Sequence, residues 1–429
     1  MNLILRWFSA SAFNAAMVAG VALKAVAQSM PPAGATVPPS APGTIEQITP
    51  TPSESPSPLP TTPPPASTPA PSLEIPAPPS PPEIVSPSQE RFRVKKIEVL
   101  GNTVLQQEIA DLVKQYLAKQ DVKKAPESQG LTLDDLLELR SQITQLYVDN
   151  GYVTSGAFLP NNQALNRGIV QIQVVEGELE RIEISGLSHL RENYVRRRLE
   201  RATAPPLNRQ RLESALQLLQ IDPLIAQVNA QLTAGSTPGR NVLIVELKEA
   251  PAFHAGVEID NSQSPSIGSI QGSVFAEHNN LLGFGDRLGA SFGKTEGLNL
   301  YNVSYAVPLN PLNGTLSLRY SNDDSEIIEP PFQNLGIRSE SRTFSIGFRQ
   351  PIVRSPQTEF ALGLSLDLRR SQTYLLDDIP FSFSEGPEDG KSKVTVIRFS
   401  QDWVPTGCKT SIRRAIAVQF WNQCIGCNY

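Results

Sequence analysis

Residues 150–159 (NGYVTSGAFL), followed by Pro160, constrain the fold more than any other part of the chain. Ahead of them, apolar residues recur every three or four positions over residues 133–150, which is typical of an amphipathic helix. After them, residues 153–159 and 168–176 have the composition of strands. The stretch therefore joins one helix to a pair of strands.

The segment upstream completes a recognisable order of elements. Residues 91–100 alternate apolar and charged side chains, which predicts a strand, and Gly101 then turns the chain. Residues 106–117 carry apolar side chains at helical spacing, and Thr132 is a suitable N-cap for the second helix. We therefore expect residues 91–177 to form an α+β domain of order β-α-α-β-β.

The same order recurs in residues 178–249, so we expect a second domain of the same kind. The predicted elements are a strand over 179–184, helices near 191–201 and 208–220, and strands over 226–232 and 241–248.

The N-terminal region differs in character from these two domains. Residues 1–27 carry Arg6 before a run of small apolar residues that ends in Ala25, Val26 and Ala27, which predicts a cleaved signal peptide. Residues 28–90 are rich in Pro, Ser, Thr and Ala. Such a segment buries too little apolar surface to offset its ordering entropy, so we expect a disordered, extended linker.

Beyond residue 250 the pattern changes to a period of two. Residues 253–260, 301–307 and 360–369 each alternate apolar with polar or small side chains. Segments of about ten residues that alternate in this way are typical of transmembrane β-barrels, with the apolar face towards lipid. A soluble β-sandwich would alternate as well, but the signal peptide and the preceding domains favour a membrane barrel over residues 250–404.

Composition argues against several classes of function. A net charge of −5 provides no basic field for nucleic acid. The three cysteines all lie within residues 408–427, and the three histidines lie far from them and from one another, so no metal site is expected. The sequence also contains no glycine-rich phosphate loop and no plausible Ser/His/Asp set. We therefore expect no enzyme and no cofactor.

Five motifs resemble those of two-partner secretion transporters, the TpsB or haemolysin secretion/activation proteins of the ShlB/FhaC/HecB type. The resemblance extends over residues 91–403. The matching pieces are residues 92–102, 147–160 (YVDNGYVTSGAFLP), 168–177 (GIVQIQVVEG), 280–288 (NLLGFGDRL) and 398–404 (RFSQDWV).

This resemblance implies two periplasmic polypeptide-transport-associated (POTRA) domains over residues 91–177 and 178–249, followed by an outer-membrane barrel. Family barrels have about sixteen antiparallel strands. The resemblance implies a monomer whose partners are outer-membrane lipid and a secreted TpsA-like exoprotein with an N-terminal secretion domain. It implies no catalysis, nucleotide or metal.

Client recognition is expected at the edges of the POTRA sheets. An extended polypeptide can add to an edge strand through main-chain hydrogen bonds while alternate side chains rest in an apolar groove. The same side chains could instead be core. The candidate residues are Val153, Ser155, Ala157 and Leu159 in the first domain and Ile225, Val228 and Ala230 in the second.

A basic helix face is a second candidate contact. It is either a solvated surface or a contact with the client or with lipid headgroups. Its members are Arg196, Arg197, Arg198 and Arg201.

The sequence also departs from the family. At about ten residues a strand plus connections, residues 250–429 hold roughly eight strands, half of the expected number. The Val-Arg-Gly-Tyr motif of the family's lumen loop is not found in the sequence. Residues 405–429 carry every cysteine and lose the alternation, which we interpret as a shifted reading frame or premature stop, the alternative being a short tail.

Three functions therefore remain open: a two-partner transporter, a BamA-type assembly factor, and a receptor or anchor that does not conduct. The third follows because side chains fill the interior of an eight-stranded barrel.

Overall fold

The computed structural model describes most of the chain from residue 91 onwards and a short piece before it. The predicted signal peptide, nearly all of the predicted linker and most of the predicted tail lie outside the described residues. One exception is a strand, β1 (Ser72–Glu74), which lies within the predicted linker. The described residues are 72–74, 91–92, 94–122, 130–160, 163, 168–383, 387–405 and 418–422.

The first unit, residues 91–177, contains the predicted β-α-α-β-β order. Its main sheet has the order β3-β6-β5, with β3 parallel and β5 antiparallel to β6, and β2 pairs separately with β4. The elements are β2 (Arg91–Phe92), β3 (Lys96–Leu100), α1 (Gln106–Val122), β4 (Leu131–Thr132), α2 (Leu133–Asp149), β5 (Gly156–Phe158) and β6 (Ile169–Val175).

Local signals explain where α2 begins and what it buries. The Thr132 hydroxyl accepts from the Asp135 amide at 3.1 Å, and the Asp135 carboxylate accepts from the Thr132 amide at 2.8 Å. This capping box confirms the predicted N-cap. Leu139, Ile143 and Tyr147 of the same helix are fully buried in the core of the unit.

The strand predicted over residues 153–159 is shorter in the structure. Gly151 has a φ of +85°, so the chain leaves α2 through a left-handed residue. The Tyr152 amide then donates to Tyr147 O at 2.9 Å, and the Ser155 amide donates to Tyr152 O at 3.0 Å. Because this turn uses residues 152–155, only three residues remain for β5.

The second unit, residues 178–249, repeats the order with longer strands. Its sheet has the order β1-β8-β9-β7, so the linker strand β1 extends it by one strand. Asn208 caps its second helix, as predicted, by accepting from the amides of Gln210 and Arg211. The elements are β7 (Glu178–Ser185), α3 (Glu192–Ala202), α4 (Arg209–Gln220), β8 (Ile225–Ala234) and β9 (Arg240–Glu249).

A carboxylate at the end of the last strand closes each unit in the same way. Glu176 accepts from the amides of Thr103 and Val104 at 2.7 and 3.1 Å. Glu249 accepts from the amides of Ser188 and Leu190 at 2.7 and 2.8 Å. Each carboxylate thus holds the loop that follows the first strand of its own unit.

At both carboxylates, hydrogen bonds lower the pKa by more than burial raises it. Burial acts to raise the pKa of Glu176, but hydrogen bonds, those from Thr103 foremost, hold it below its ordinary value. Burial likewise acts to raise the pKa of Glu249, and the amides of Leu190 and Ser188 lower it. Both groups are therefore held in the charged form.

The remaining strands form one long antiparallel sheet. Its order is β10-β11-β12-β13-β14-β15-β16-β18-β19, and β17 pairs with β16 beside this path. The strands are β10 (Phe253–Asp260), β11 (Gln271–Asn279), β12 (Arg287–Lys294), β13 (Leu298–Pro308), β14 (Thr315–Glu326), β15 (Arg338–Arg354), β16 (Thr358–Leu375), β17 (Ile379–Pro380), β18 (Lys391–Pro405) and β19 (Val418–Asn422).

The predicted alternation separates two faces of the long sheet. Tyr320, Phe344 and Leu368 lie opposite one another on three neighbouring strands, and each is more than 40% exposed. The other face carries ion pairs, such as Arg398 with Asp367. An apolar face opposite a charged face fits lipid on one side and a polar lumen on the other.

One strand lies within residues 405–429, the segment predicted to be an atypical tail without the alternation: Val418–Asn422 pairs antiparallel with β18. The rest of that segment after residue 405 lies outside the described residues.

Candidate functional site

The outer edge of β8 is covered by a strand from the N-terminal, proline-rich segment. β1 runs parallel to β8, and Leu73 lies opposite Ala230. Strand β8 is ten residues long, and β1 covers only three of them. An exposed edge presents unpaired main-chain groups that accept a further strand. The second unit thus has an edge that binds an extended segment, and the prediction of a disordered linker does not hold for Ser72–Glu74.

One apolar side chain accompanies this main-chain pairing. Leu73 is partly buried and packs against the core of the second unit. Ile225, Val228 and Ala230, predicted as client contacts, are at most 5% exposed and belong to the same core. Their side chains are therefore structural, and any part that these residues take in strand addition goes through the main chain.

The corresponding edge of the first unit is closed by the unit's own side chains. The Ala157 amide of β5 donates to the Thr144 hydroxyl of α2 at 3.0 Å. The Gln163 side chain lies against Gln171 of β6, where its amide nitrogen donates to the Gln171 carbonyl and its oxygen accepts from the Gln171 amide, both at 2.7 Å. The first contact occupies a main-chain group of the edge strand β5. The second occupies main-chain groups of the middle strand β6, next to residues 173–175, which β5 covers.

The four residues predicted as client contacts in the first unit have mixed surroundings. Ser155 is buried, and its hydroxyl accepts from the Gly177 amide at 2.9 Å. Ala157 and Leu159 pack against the core, and Val153 lies half-buried in the turn before β5. The structure does not place them along one open strand edge, because residues 152–155 form a turn.

The two units are joined by main-chain and side-chain hydrogen bonds. The Arg209 amide donates to Gly151 O at 2.8 Å, and the Leu207 amide donates to Gly177 O at 2.7 Å. Asn208, the N-cap of α4, also donates from its side chain to Asn150 O at 3.0 Å. Residues 150–159, the stretch that most constrains the fold, therefore form part of the junction between the units.

The second unit also contacts the long sheet, through the turn between β11 and β12. The Arg191 amide donates to Gly283 O at 3.0 Å, and the Arg191 guanidinium lies 3.8 Å from the centre of the Phe284 ring. Asp286 is fully buried and accepts from the Leu282 amide at 2.9 Å, which fixes the turn from within.

The four arginines of the basic helix face have different surroundings. Arg196 pairs with Glu192 and donates to Ile182 O at 2.9 Å, whereas Arg197 is exposed. Arg198 lies 3.4 Å above the centre of the Tyr194 ring and donates to Asn313, in the turn between β13 and β14. Arg201 is exposed at the end of α3. The face is thus not uniformly solvated, because Arg198 connects the second unit to the sheet.

Sequence reasoning missed the residues that distinguish the two edges. Leu73 lies in a short proline-free stretch, between Pro71 and Pro76. This gap in the run of prolines is the sequence feature that could have predicted β1. By contrast, the contacts of Thr144 with β5 and of Gln163 with β6 depend on tertiary positions that no local pattern encodes.

The described part of the chain holds no group of three or more His, Cys, Asp or Glu side chains arranged to bind a metal. None of its helices has the length and apolar character required to cross a membrane, a finding that concerns helices only.

Comparison with known protein families gives two matches. Residues 92–177 match the POTRA domain, ShlB-type. Residues 239–382 match the haemolysin secretion/activation protein ShlB/FhaC/HecB.

Individual proteins are similar to the chain over shorter fractions of their length. The heme/hemopexin transporter protein HuxB of Haemophilus influenzae (strain Rd) is 23% identical over 285 residues, which cover 65% of this chain and 48% of HuxB. The outer membrane transporter CdiB of Dickeya dadantii is 30% identical over 161 residues, which cover 38% of this chain and 28% of that protein. The chain thus spans about half or less of these relatives.

Among solved structures, CdiB from Escherichia coli has a similar fold. The TM-score is 0.53 at 24% sequence identity, and the match covers 76% of this chain and 58% of that one.

Proposed function

We propose that this chain, which belongs to the haemolysin secretion/activation (ShlB/FhaC/HecB) family of two-partner secretion transporters, captures an unfolded exoprotein at the edge of β8 for secretion through a β-barrel. The protein resides in the outer membrane, with its POTRA units in the periplasm. The observation that carries the proposal is the pairing of β1 with β8.

The pairing indicates what kind of ligand the edge takes. Main-chain hydrogen bonds are formed by any extended chain, so binding is tolerant of sequence, as a receptor for unfolded polypeptide requires. Leu73 adds one preference, because it packs on the core of the second unit. We expect the client segment to be extended, to run parallel to β8 and to place an apolar residue at the position of Leu73.

The position of the second unit supports a hand-over to the barrel. Its Arg191 and Arg198 contact turns at one end of the long sheet, at Gly283 and Asn313. A segment bound to β8 is therefore held by the unit that contacts the barrel. Since β1 and a client would form the same main-chain hydrogen bonds, residues 72–74 have to leave the edge before a client binds.

The test combines secretion with cross-linking in cells that produce the full chain. The gene is deleted and restored, and the proteins of the medium are compared by mass spectrometry. A photo-cross-linking residue is placed at Gln231 of β8, which is exposed and paired with β1, and in a matched control at Glu183 on the opposite edge strand β7.

We expect one large polypeptide to disappear from the medium on deletion, to return with the gene, and to cross-link from Gln231 but not from Glu183. An unchanged medium together with a loss of many outer-membrane proteins would contradict the proposal and indicate an assembly factor. Equal cross-linking from both positions would contradict the assignment to the β8 edge.

A further inference from the structure

A cavity of about 700 Å³ lies where the two POTRA units meet the long sheet. The first unit contributes Val104 and Tyr152, and the second unit contributes residues of α3 and α4. The sheet contributes Pro311 and Leu312 from the turn between β13 and β14, and Arg354 from the end of β15. Nothing in the proposed capture of a client at β8 uses this cavity.

The cavity is unusually rich in positive charge. Four guanidinium groups line it, and among its described lining residues the only carboxylate is that of Asp222. This carboxylate already accepts from the Tyr194 hydroxyl at 2.7 Å. The four arginines are Arg198, Arg201, Arg211 and Arg354.

Neutral acceptors satisfy two of these arginines. Arg198 donates to Tyr194 O at 2.7 Å and to the Asn313 side chain. Arg211 donates to the carbonyl oxygens of Ala204 and Pro206. Neither contact brings a negative charge into the cavity.

The other two arginines differ from each other. Arg354 lies 3.5 Å from Glu359, a carboxylate that also pairs with Arg349 at 2.8 Å. Arg201 forms no ion pair among the described residues. Burial lowers the pKa of Arg198. Tyr194 and Asp222 act to raise it, and repulsion from the charge of Arg354 acts to lower it. An anion in the cavity would relieve this repulsion.

The rest of the lining and its surroundings are apolar. Leu218 of α4 and Leu312 of the sheet turn line the cavity itself. Next to its sheet-derived walls, Leu309, Ile352 and Val353 are each at least half exposed. These residues lie at the end of the sheet that contacts the second unit. With the POTRA units in the periplasm, this end would meet the headgroups of the periplasmic leaflet.

We propose that this cavity binds the phosphate headgroup of an anionic glycerophospholipid of the outer membrane, with its acyl chains against the apolar rim of the barrel. Guanidinium groups match phosphate oxygens in geometry and charge, and basic pockets at membrane surfaces bind anionic headgroups. An acidic peptide would satisfy the arginines but would leave Leu309, Ile352 and Val353 without a partner. The exposed apolar rim therefore favours a lipid.

Such a lipid would bridge three parts of the molecule. Its phosphate would contact α3 and α4 of the second POTRA unit and the end of β15 at once. The site would thus hold the second unit against the barrel while the β8 edge remains available.

The experiment measures binding of dioctanoyl phosphatidylglycerol to the full chain in a detergent with an uncharged headgroup. Dioctanoyl phosphatidylcholine, inorganic phosphate and an acidic peptide serve as comparison ligands. Arg201→Gln removes the arginine that lacks an ion pair. Arg197→Gln is the matched control, since it makes the same change on the same helix at a residue outside the cavity. Ser214→Phe fills the cavity and retains all four arginines.

We expect saturable binding of phosphatidylglycerol, weakened about tenfold by Arg201→Gln and unchanged by Arg197→Gln. Ser214→Phe should abolish binding, with circular dichroism showing that the variant is folded. Four results would each overturn the proposal: equal binding of phosphatidylcholine, equal loss in Arg197→Gln, equal affinity for inorganic phosphate, or tighter binding of the acidic peptide.

Discussion

The two β-α-α-β-β units share one framework but protect their sheet edges in different ways. In both, a glutamate at the end of the last strand holds the loop after the first strand. In the first unit, side chains of the unit itself, those of Thr144 and Gln163, occupy main-chain groups of the sheet. In the second, the longer strand β8 is paired with a strand from the N-terminal segment, Ser72–Glu74. This difference is the basis for our proposal that the second unit is the receptor and that the first supports it.

The largest effect is expected from a disulfide that holds β1 on β8, because it tests whether the β8 edge has to be uncovered before a peptide binds. Ser72 and Asn229 lie opposite each other in neighbouring strands, and a strand spacing of about 4.8 Å permits a disulfide. In a background in which the three native cysteines are replaced by serine, the oxidised Ser72→Cys/Asn229→Cys variant should bind no added peptide at the edge. Reduction should restore binding, as measured by fluorescence anisotropy.

The probe for this measurement is a labelled peptide with the sequence of residues 68–80. The single variant Asn229→Cys is the control and should bind alike in both redox states. Binding that is indifferent to the lock would show that the peptide does not use the β8 edge.

The shared framework is tested by removing each carboxylate. Glu176→Gln and Glu249→Gln should each lower the stability of its own unit by about 1.5 to 3 kcal/mol at neutral pH, because charged hydrogen bonds are lost. Urea titration followed by far-ultraviolet circular dichroism measures this loss, since the described helices belong to the two units.

The stabilisation that Glu176 and Glu249 provide should decrease as the pH falls. Both folded pKa values lie below the ordinary value of a glutamate, so the stabilisation is present above that ordinary value and is lost as the pH falls through the folded pKa. The difference between wild type and each variant should therefore shrink in acid. A difference that stays constant as the pH falls would contradict the role given to the two charges.

The closed edge of the first unit is tested at Thr144. Thr144→Val removes the acceptor of the Ala157 amide and should cost about 1 kcal/mol. Hydrogen exchange at Ala157 should accelerate. Ser141→Ala removes a hydroxyl from the same helix that donates to Leu137 O and accepts from Arg140 but does not touch β5, so it is the control and should leave Ala157 unaffected.

A smaller effect is expected at Gln163. Gln163→Ala exposes the main chain of Gln171 to water and should cost about 0.5 kcal/mol, with faster exchange at Gln171 alone. If exchange at Gln171 stayed slow, the side chain would not be what protects this part of the first unit.

The sequence predicted the order of elements better than it predicted the edge. Helical spacing and the Thr132 and Asn208 caps placed three of the four helices within about two residues. Alternation also predicted the two faces of the long sheet. These features are local, so a single segment carries the signal.

What the side chains at a sheet edge contact is not encoded by the local sequence. Ile225, Val228 and Ala230 have the pattern of a half-buried strand, which is the same whether their side chains meet a client or the core. Likewise, the sequence of the basic face on α3 does not reveal that Arg198 donates to a residue 115 positions away, in the turn between β13 and β14. The linker strand is not predicted because the proline-rich composition of residues 28–90, taken as an average, hides the short proline-free stretch around Leu73.

The most direct test of the central claim is addition of the linker peptide to a chain whose own linker is displaced. Leu73→Asp should release β1, because a charge replaces the side chain that packs on the core. The peptide of residues 68–80 with its native leucine should then bind saturably and cross-link to Gln231, and the same peptide with Leu73→Asp should not. Absence of binding, or cross-linking to β5 of the first unit instead, would contradict the assignment of β8 as the receptor edge.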